Sequence, residues 1–232
     1  MSDRTESTVK VRITENGPYL VSGNLPLQDI TIGANAAGDS VEWIDGVVRA
    51  HEEKYALCRC GHSGNKPFCD GTHRKVGFVG TETADRSSYA EQVTVIKGPA
   101  MTLTDVDSLC AFGRFCDPNG KVWNLVHSTD QQPAREHFVQ QTCDCPSGRL
   151  VAWDNATGLP IELKYEPAVR PVADPAQDCL GPLWVRGGVQ LVGADGFNYE
   201  VRNRMTLCRC GASKNKPFCD GSHASIGFNE SS

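Results

Sequence analysis

The stretch Cys58-Arg59-Cys60-Gly61-His62-Ser63-Gly64-Asn65-Lys66-Pro67-Phe68-Cys69-Asp70-Gly71-Thr72-His73 returns, little changed, near the other end of the chain. There it reads Cys208-Arg209-Cys210-Gly211-Ala212-Ser213-Lys214-Asn215-Lys216-Pro217-Phe218-Cys219-Asp220-Gly221-Ser222-His223. Each copy sets three cysteines and one histidine at the same offsets: Cys58, Cys60, Cys69 and His73, then Cys208, Cys210, Cys219 and His223. Thiolates and imidazole are metal donors, so a duplicated four-donor set points to two metal centres in one chain.

The repeat extends outward from these donors. Gly17-Pro18-Tyr19-Leu20-Val21-Ser22-Gly23 stands upstream of the first copy and Gly181-Pro182-Leu183-Trp184-Val185-Arg186-Gly187 upstream of the second. Each is an apolar run between turn residues, which predicts a short strand. Leu57 and Leu207 lead into the cysteines, and Gly77-Phe78 and Gly227-Phe228 follow at matching distances. The unit is therefore two or three short strands, a ligand loop and a turn of helix. Asp70 and Asp220 are expected as helix N-caps. His73 then lies on the same side of its turn as Cys69, and Gly77 and Gly227 end the turn. The first copy carries a longer excursion, Pro26 to Asp45, rich in Gly, Asp and Asn.

Residues 85–175 differ in character. Ala90 to Ile96 is strand-like, followed by Leu103 to Cys116; Pro133 to Gln141 suits a helix; Glu166 to Pro175 is Pro-rich and reads as a linker. The expected organisation is an N-terminal module over 1–84, a middle segment over 85–175 and a C-terminal module over 176–232. The fold class is mainly β with short helices, built as small α+β modules, the two homologous units related by a pseudo-twofold axis.

Composition narrows the function. A net charge of −5 argues against nucleic-acid binding. No stretch approaches the roughly 18 apolar residues of a membrane span, and mean hydropathy is −0.36. Met1 to Ser7 lacks the apolar core of a signal or anchor. Eleven cysteines without an export signal favour metal ligation in a reducing, cytoplasmic setting over a disulfide scaffold, which predicts an even count. No nucleotide fingerprint or phosphate loop occurs, and no catalytic residue is assigned.

Three thiolates and an imidazole suit tetrahedral zinc or a [2Fe–2S] cluster, and spacing alone does not exclude zinc. In the cluster, Cys58 and Cys60 would hold one iron and Cys69 and His73 the other; Cys208 with Cys210, and Cys219 with His223, would repeat it. The pattern C-x-C-x2-Ser-x3-Pro-x-Cys-Asp-Gly-Ser/Thr-His resembles that of the CDGSH iron–sulfur (mitoNEET-like) family, in its soluble two-motif form. Both copies match at every defining position. The resemblance implies two [2Fe–2S] clusters with that pairing.

One histidine in place of a fourth thiolate should raise the reduction potential, and a protonatable ligand should couple electron uptake to protons. Lys66 and Lys216 can offset cluster charge, although surface placement is the commoner fate of lysine. Ser63 and Ser213 either bond a sulfur or close the loop. Pro67 and Pro217 fix the chain before the third cysteine. His62 faces Ala212 in the other copy and is not expected to be a ligand.

Between the modules, Cys110-x5-Cys116 and Cys145-Pro146-Ser147-Gly148-Arg149-Leu150 resemble a divergent single-cluster ferredoxin domain, which implies a [3Fe–4S] or [4Fe–4S] cluster. Cys143 is a further thiol two residues before Cys145. The competing reading, which weighs more on the residues alone, packs these thiols as small apolar groups. Cys179 is expected as a packed or surface thiol.

The expected function is electron transfer or iron–sulfur cluster transfer to a redox or cluster-acceptor protein, without nucleic acid or membrane, as a monomer with an internal repeat or as a homodimer. The alternatives are a structural zinc-binding interaction protein and a redox enzyme using clusters as a relay.

Overall fold

The computed structural model describes residues 9–230; the opening segment Met1 to Ser7 lies outside them. Among the described residues the chain forms thirteen strands and five short α-helices. In order these are β1 (Lys10–Ile13), β2 (Tyr19–Ser22), β3 (Gln28–Ala34), β4 (Ser40–Val48), β5 (Tyr55–Leu57), α1 (Thr72–Lys75), α2 (Tyr89–Gln92), β6 (Thr94–Lys97) and β7 (Met101–Asp105). There follow α3 (Val122–Leu125), α4 (Gln132–Asp144), β8 (Leu150–Asp154), β9 (Pro160–Ile161), β10 (Ala168–Asp174), β11 (Cys179–Arg186), β12 (Gln190–Val192), β13 (Arg204–Leu207) and α5 (Ser222–Ser225).

The strands make three sheets, ordered β12-β1-β2-β5, β13-β11-β10-β3-β4 and β6-β7-β8-β9. The first two are built alike. β1, β2 and β5 pair antiparallel, as do β10, β11 and β13. The register agrees with the sequence repeat: Tyr19 faces Leu57, and Leu183 faces Leu207. Each module then receives a strand from the other. β12 lies parallel to β1 at Lys10 to Arg12, and β3 lies parallel to β10 at Val172 and Ala173. This reciprocal exchange gives the pseudo-twofold arrangement that the repeat predicts.

One core lies between these two sheets, with Val11, Ile13, Tyr19, Val21, Leu57 and Leu191 from one side meeting Leu183, Val185, Met205 and Leu207 from the other. β2 alternates buried and exposed, as a strand with one wet face does. β11 is buried on both faces. Its Trp184 points away from the shared core into a second cluster with Ile30, Ile32, Val172 and Phe115. Phe115 belongs to the middle domain, which therefore covers the outer face of the second module's sheet.

The middle domain packs α4 against its own sheet through Met101, Leu103, Val122, Val126, Phe138, Leu150 and Ala152. Arg204 on β13, 1% exposed, fastens it. Its Nη1 donates to the carbonyls of Thr142 (2.8 Å), Cys143 (2.5 Å) and Cys145 (2.7 Å) at the end of α4, and Nη2 donates to Glu162 at 2.8 Å. A guanidinium there satisfies helix carbonyls that have no intrahelical partner.

Three expectations are corrected. The Pro-rich run Glu166 to Pro175 is largely strand β10, not a linker; its Pro171 stands at a register shift between Pro171 and Ala173, an irregularity of the kind that tolerates proline. The Pro26 to Asp45 excursion is mostly the β3–β4 hairpin. Ala90 to Ile96 is not one strand: Ser88 and Glu91 form a capping box that winds Tyr89–Gln92 into a helical turn before β6.

Candidate metal centres

The two ligand loops fold by the same hydrogen bonds. The last residue of β5 delivers Cys58, whose N–H donates to the Pro67 carbonyl at 2.7 Å; Cys208 after β13 donates to Pro217 at 2.9 Å. The returning chain lies beside the strand, with Cys69 N–H on Ala56 and Cys219 N–H on Thr206, both at 2.9 Å. Each loop is closed by a serine hydroxyl that donates to the Phe68 or Phe218 carbonyl (2.6 and 2.7 Å) and accepts from the Asn65 or Asn215 N–H (3.1 and 3.0 Å). Ser63 and Ser213 thus take the loop-closing role. The Lys66–Pro67 and Lys216–Pro217 peptides are both cis.

Asp70 and Asp220, expected as the N-caps, stand one residue too early: the caps are Gly71 and Gly221, both in the left-handed region. A left-handed φ suits glycine. Each aspartate instead ties the loop to the turn. Asp70 accepts the N–H groups of Thr72 and Gly64, both at 2.9 Å, and these hold its carboxyl well below the usual range. Burial works to raise Asp220, but the Ser222 hydroxyl and the N–H groups of Lys214 and Ser222 outweigh it, and its pKa is also lowered. Gly77 and Gly227, both at φ 62°, follow the helical turns as expected.

The donors come together in pairs. Cys58 Sγ lies 3.7 Å from Cys60 Sγ, and Cys69 Sγ lies 3.4 Å from His73 Nδ1. The second copy gives 3.7 Å for Cys208 with Cys210 and 3.3 Å for Cys219 with His223 Nδ1. The Cys60 thiol, with the N–H groups of Ser63 and Gly61, holds Cys58 below the ordinary thiol range against the effect of burial; Cys210, Ser213 and Gly211 do the same for Cys208. Such donors stabilise a thiolate, the ligating form. Burial, then the Arg209 guanidinium, hold the His223 imidazole down to about 4, hence neutral and able to ligate. Two pairs of donors fit a binuclear core with two protein ligands per iron.

Sequence reasoning passed over Arg59 and Arg209, the residues between the paired cysteines. Both are buried, 2% and 4% exposed. Arg59 donates to the carbonyls of Thr14 and Gly80 and lies over the Tyr19 and Phe78 rings. Arg209 donates to Gly181 at 2.7 Å and Val172 at 2.6 Å, and lies over Phe228. Burial lowers Arg209 to about 10, which leaves it charged at neutral pH. Each motif thus carries a buried cation on the residue between its paired cysteines. The signal was available, since arginine recurs at that position in both copies.

Lys66 is also buried, contrary to the surface placement expected; its Nζ donates to the Glu230 carbonyl of the other module at 3.0 Å. His62 is exposed, and only its backbone N–H meets Cys60 Sγ, at 3.5 Å.

In the middle domain, Cys110, Cys116 and Cys145 line one recess. The connecting loop wraps it through Phe112 and Arg114, both at left-handed φ (57° and 60°). Cys143 faces elsewhere, its Sγ 3.7 Å from the Ile161 carbonyl. Cys179 is buried in β11. Three thiols around one recess fit an iron–sulfur cluster better than three independent packing positions would.

Residues 16–74 and 180–224 match the family described as iron-binding zinc finger, CDGSH type, and residues 96–155 match that described as divergent 4Fe-4S mono-cluster. No curated protein and no solved structure matches the chain. The middle-domain match weighs against the packed-thiol reading of its cysteines. Among the described residues no helix is long and apolar enough to cross a membrane. The chain is an iron–sulfur protein that carries a CDGSH-type iron-binding domain in two segments, with a divergent 4Fe-4S mono-cluster domain between them.

Proposed function

We propose that the protein carries electrons or donates iron–sulfur clusters, with one [2Fe–2S] cluster on Cys58, Cys60, Cys69 and His73 and another on Cys208, Cys210, Cys219 and His223. The supporting observation is the pairing of donors, a short Cys–Cys and a short Cys–His contact in each motif. A single tetrahedral ion would instead draw all four donors toward one point. A third cluster belongs to Cys110, Cys116 and Cys145. The compartment in this reading is reducing and cytoplasmic, where thiolates stay available to a metal. The recipient is a redox or cluster-acceptor protein.

Such clusters supply one-electron chemistry at a potential set by ligand type and nearby charge. The chain contributes buried Arg59 and Arg209, which favour added negative charge, and imidazole ligands that acid can displace. Visible and EPR spectra of freshly purified protein, with iron, zinc and sulfide counted together, test the reading. About seven or eight irons per chain are expected for three centres, about four for two. Colourless protein containing zinc in their place sinks it. Redox titration between about pH 6 and 9 tests the proton coupling: a flat potential removes it.

A further inference from the structure

The two CDGSH-type loops share sequence, hydrogen bonds and donor distances, yet their surroundings differ. Cys69 and His73 are half-buried, and His73 opens onto a groove walled by Asn16, Pro18, Arg74 and Phe78. Cys219 and His223 are only 2% and 3% exposed. The cause is the middle domain. A Cβ on Gly221 would stand 3.1 Å from Phe112 Cβ, whereas one on Gly71, the matching residue, would meet nothing within 4 Å.

Three contacts hold this cover in place. Arg114 makes a bidentate pair with Asp174 on β10 (2.5 and 3.0 Å), whose side chain is 1% exposed. Asn215 Nδ2 donates to the Ser108 carbonyl at 2.7 Å, while its counterpart Asn65 is exposed. Phe115 anchors the loop among Trp43 and Trp184. A bidentate ion pair and an aromatic anchor make a fixed cover, not a flap.

We propose that the loop from Cys110 to Cys116 seals the second CDGSH-type site, so that the first, through Cys69 and His73, is the site that exchanges with solution and partners. Phe112 and Arg114 act as positioning residues that keep the second set of donors closed. The proposal rests on the cluster reading only for the identity of what is retained.

The test uses the intact loaded protein. A ferrous chelator is added with iodoacetamide, visible absorbance is followed, and alkylated cysteines are mapped by mass spectrometry at each time. Cys69 should label at least about tenfold faster than Cys219, because opening the covered site requires the loop to detach. F112A and R114Q should accelerate Cys219 and leave Cys69 unchanged. The order of labelling in the unmodified protein decides the matter even if a variant does not fold. Equal rates for Cys69 and Cys219, or faster labelling of Cys219, overturn the proposal. If the metal proves to be zinc, the cluster reading falls, but the labelling order still tests the cover.

Discussion

At the scale of single residues, arginines join the parts of this molecule. Arg204 is the clearest: one buried side chain on the strand that leads into Cys208 holds three carbonyls at the end of α4 and the Glu162 carboxylate. Removing it strands those acceptors away from water. R204M should therefore lose about 3 kcal/mol of stability, read as a lower urea midpoint of the loaded protein. An unchanged midpoint would mean that the middle domain is held by other contacts. The middle cysteines permit a matched pair of substitutions. C116A should lower the iron content by the share of the third cluster, because Cys116 lines the recess with Cys110 and Cys145. C143A should leave iron unchanged, because that thiol faces the Ile161 carbonyl instead.

At the scale of elements, the two ligand loops meet back to back. A Cβ on Gly61 would lie 2.5 Å from the Cys210 carbonyl oxygen, and one on Gly211 would lie 2.6 Å from that of Cys60. Both glycines also have left-handed φ, 87° and 81°. G61A should thus combine a strained backbone with a clash and cost more than 2 kcal/mol, whereas G71A, at φ 89° in open space, should cost only the strain, about 1–2 kcal/mol. Thermal denaturation of the two variants side by side checks this, and equal losses would remove the close approach as the cause. These loops were legible in the sequence because their spacing is covalent and the repeat displays it twice. The exchanged strands were not. Ile30 and Ile32 alternate with Asp29 and Thr31, and turn-forming Gly, Asp and Asn around them masked the period. Nothing local tells β3 to join β10 rather than its own module. The prolines that made residues 166–175 look like a linker hid β10 for the same reason, since a bulge tolerates a proline that a regular central strand does not. The cover over the second site is a contact between distant segments, so no spacing could reveal it.

At the scale of the whole molecule, reciprocal strand exchange within one chain makes a partner copy unnecessary for completing either module. The sheets still have edges, and an unpaired edge is a template for association. β4 is the longest, and its Val41, Ile44, Val47 and Val48 side chains are all exposed. Glu42 is exposed on the same strand, and Asp45 accepts from Arg170 at 2.6 Å. Two copies pairing through β4 would bring such carboxylates together in a site losing water, which opposes the pairing. The protein should therefore sediment as a monomer of 25.2 kDa at neutral pH. E42V removes a charge from the edge while leaving the Arg170–Asp45 pair and both ligand loops intact. It should form dimers or larger species as concentration rises, with the visible spectrum unchanged. A dimer already present in the unmodified protein at micromolar concentration would show that the edge is used, not guarded, and that the internal repeat does not replace a second chain.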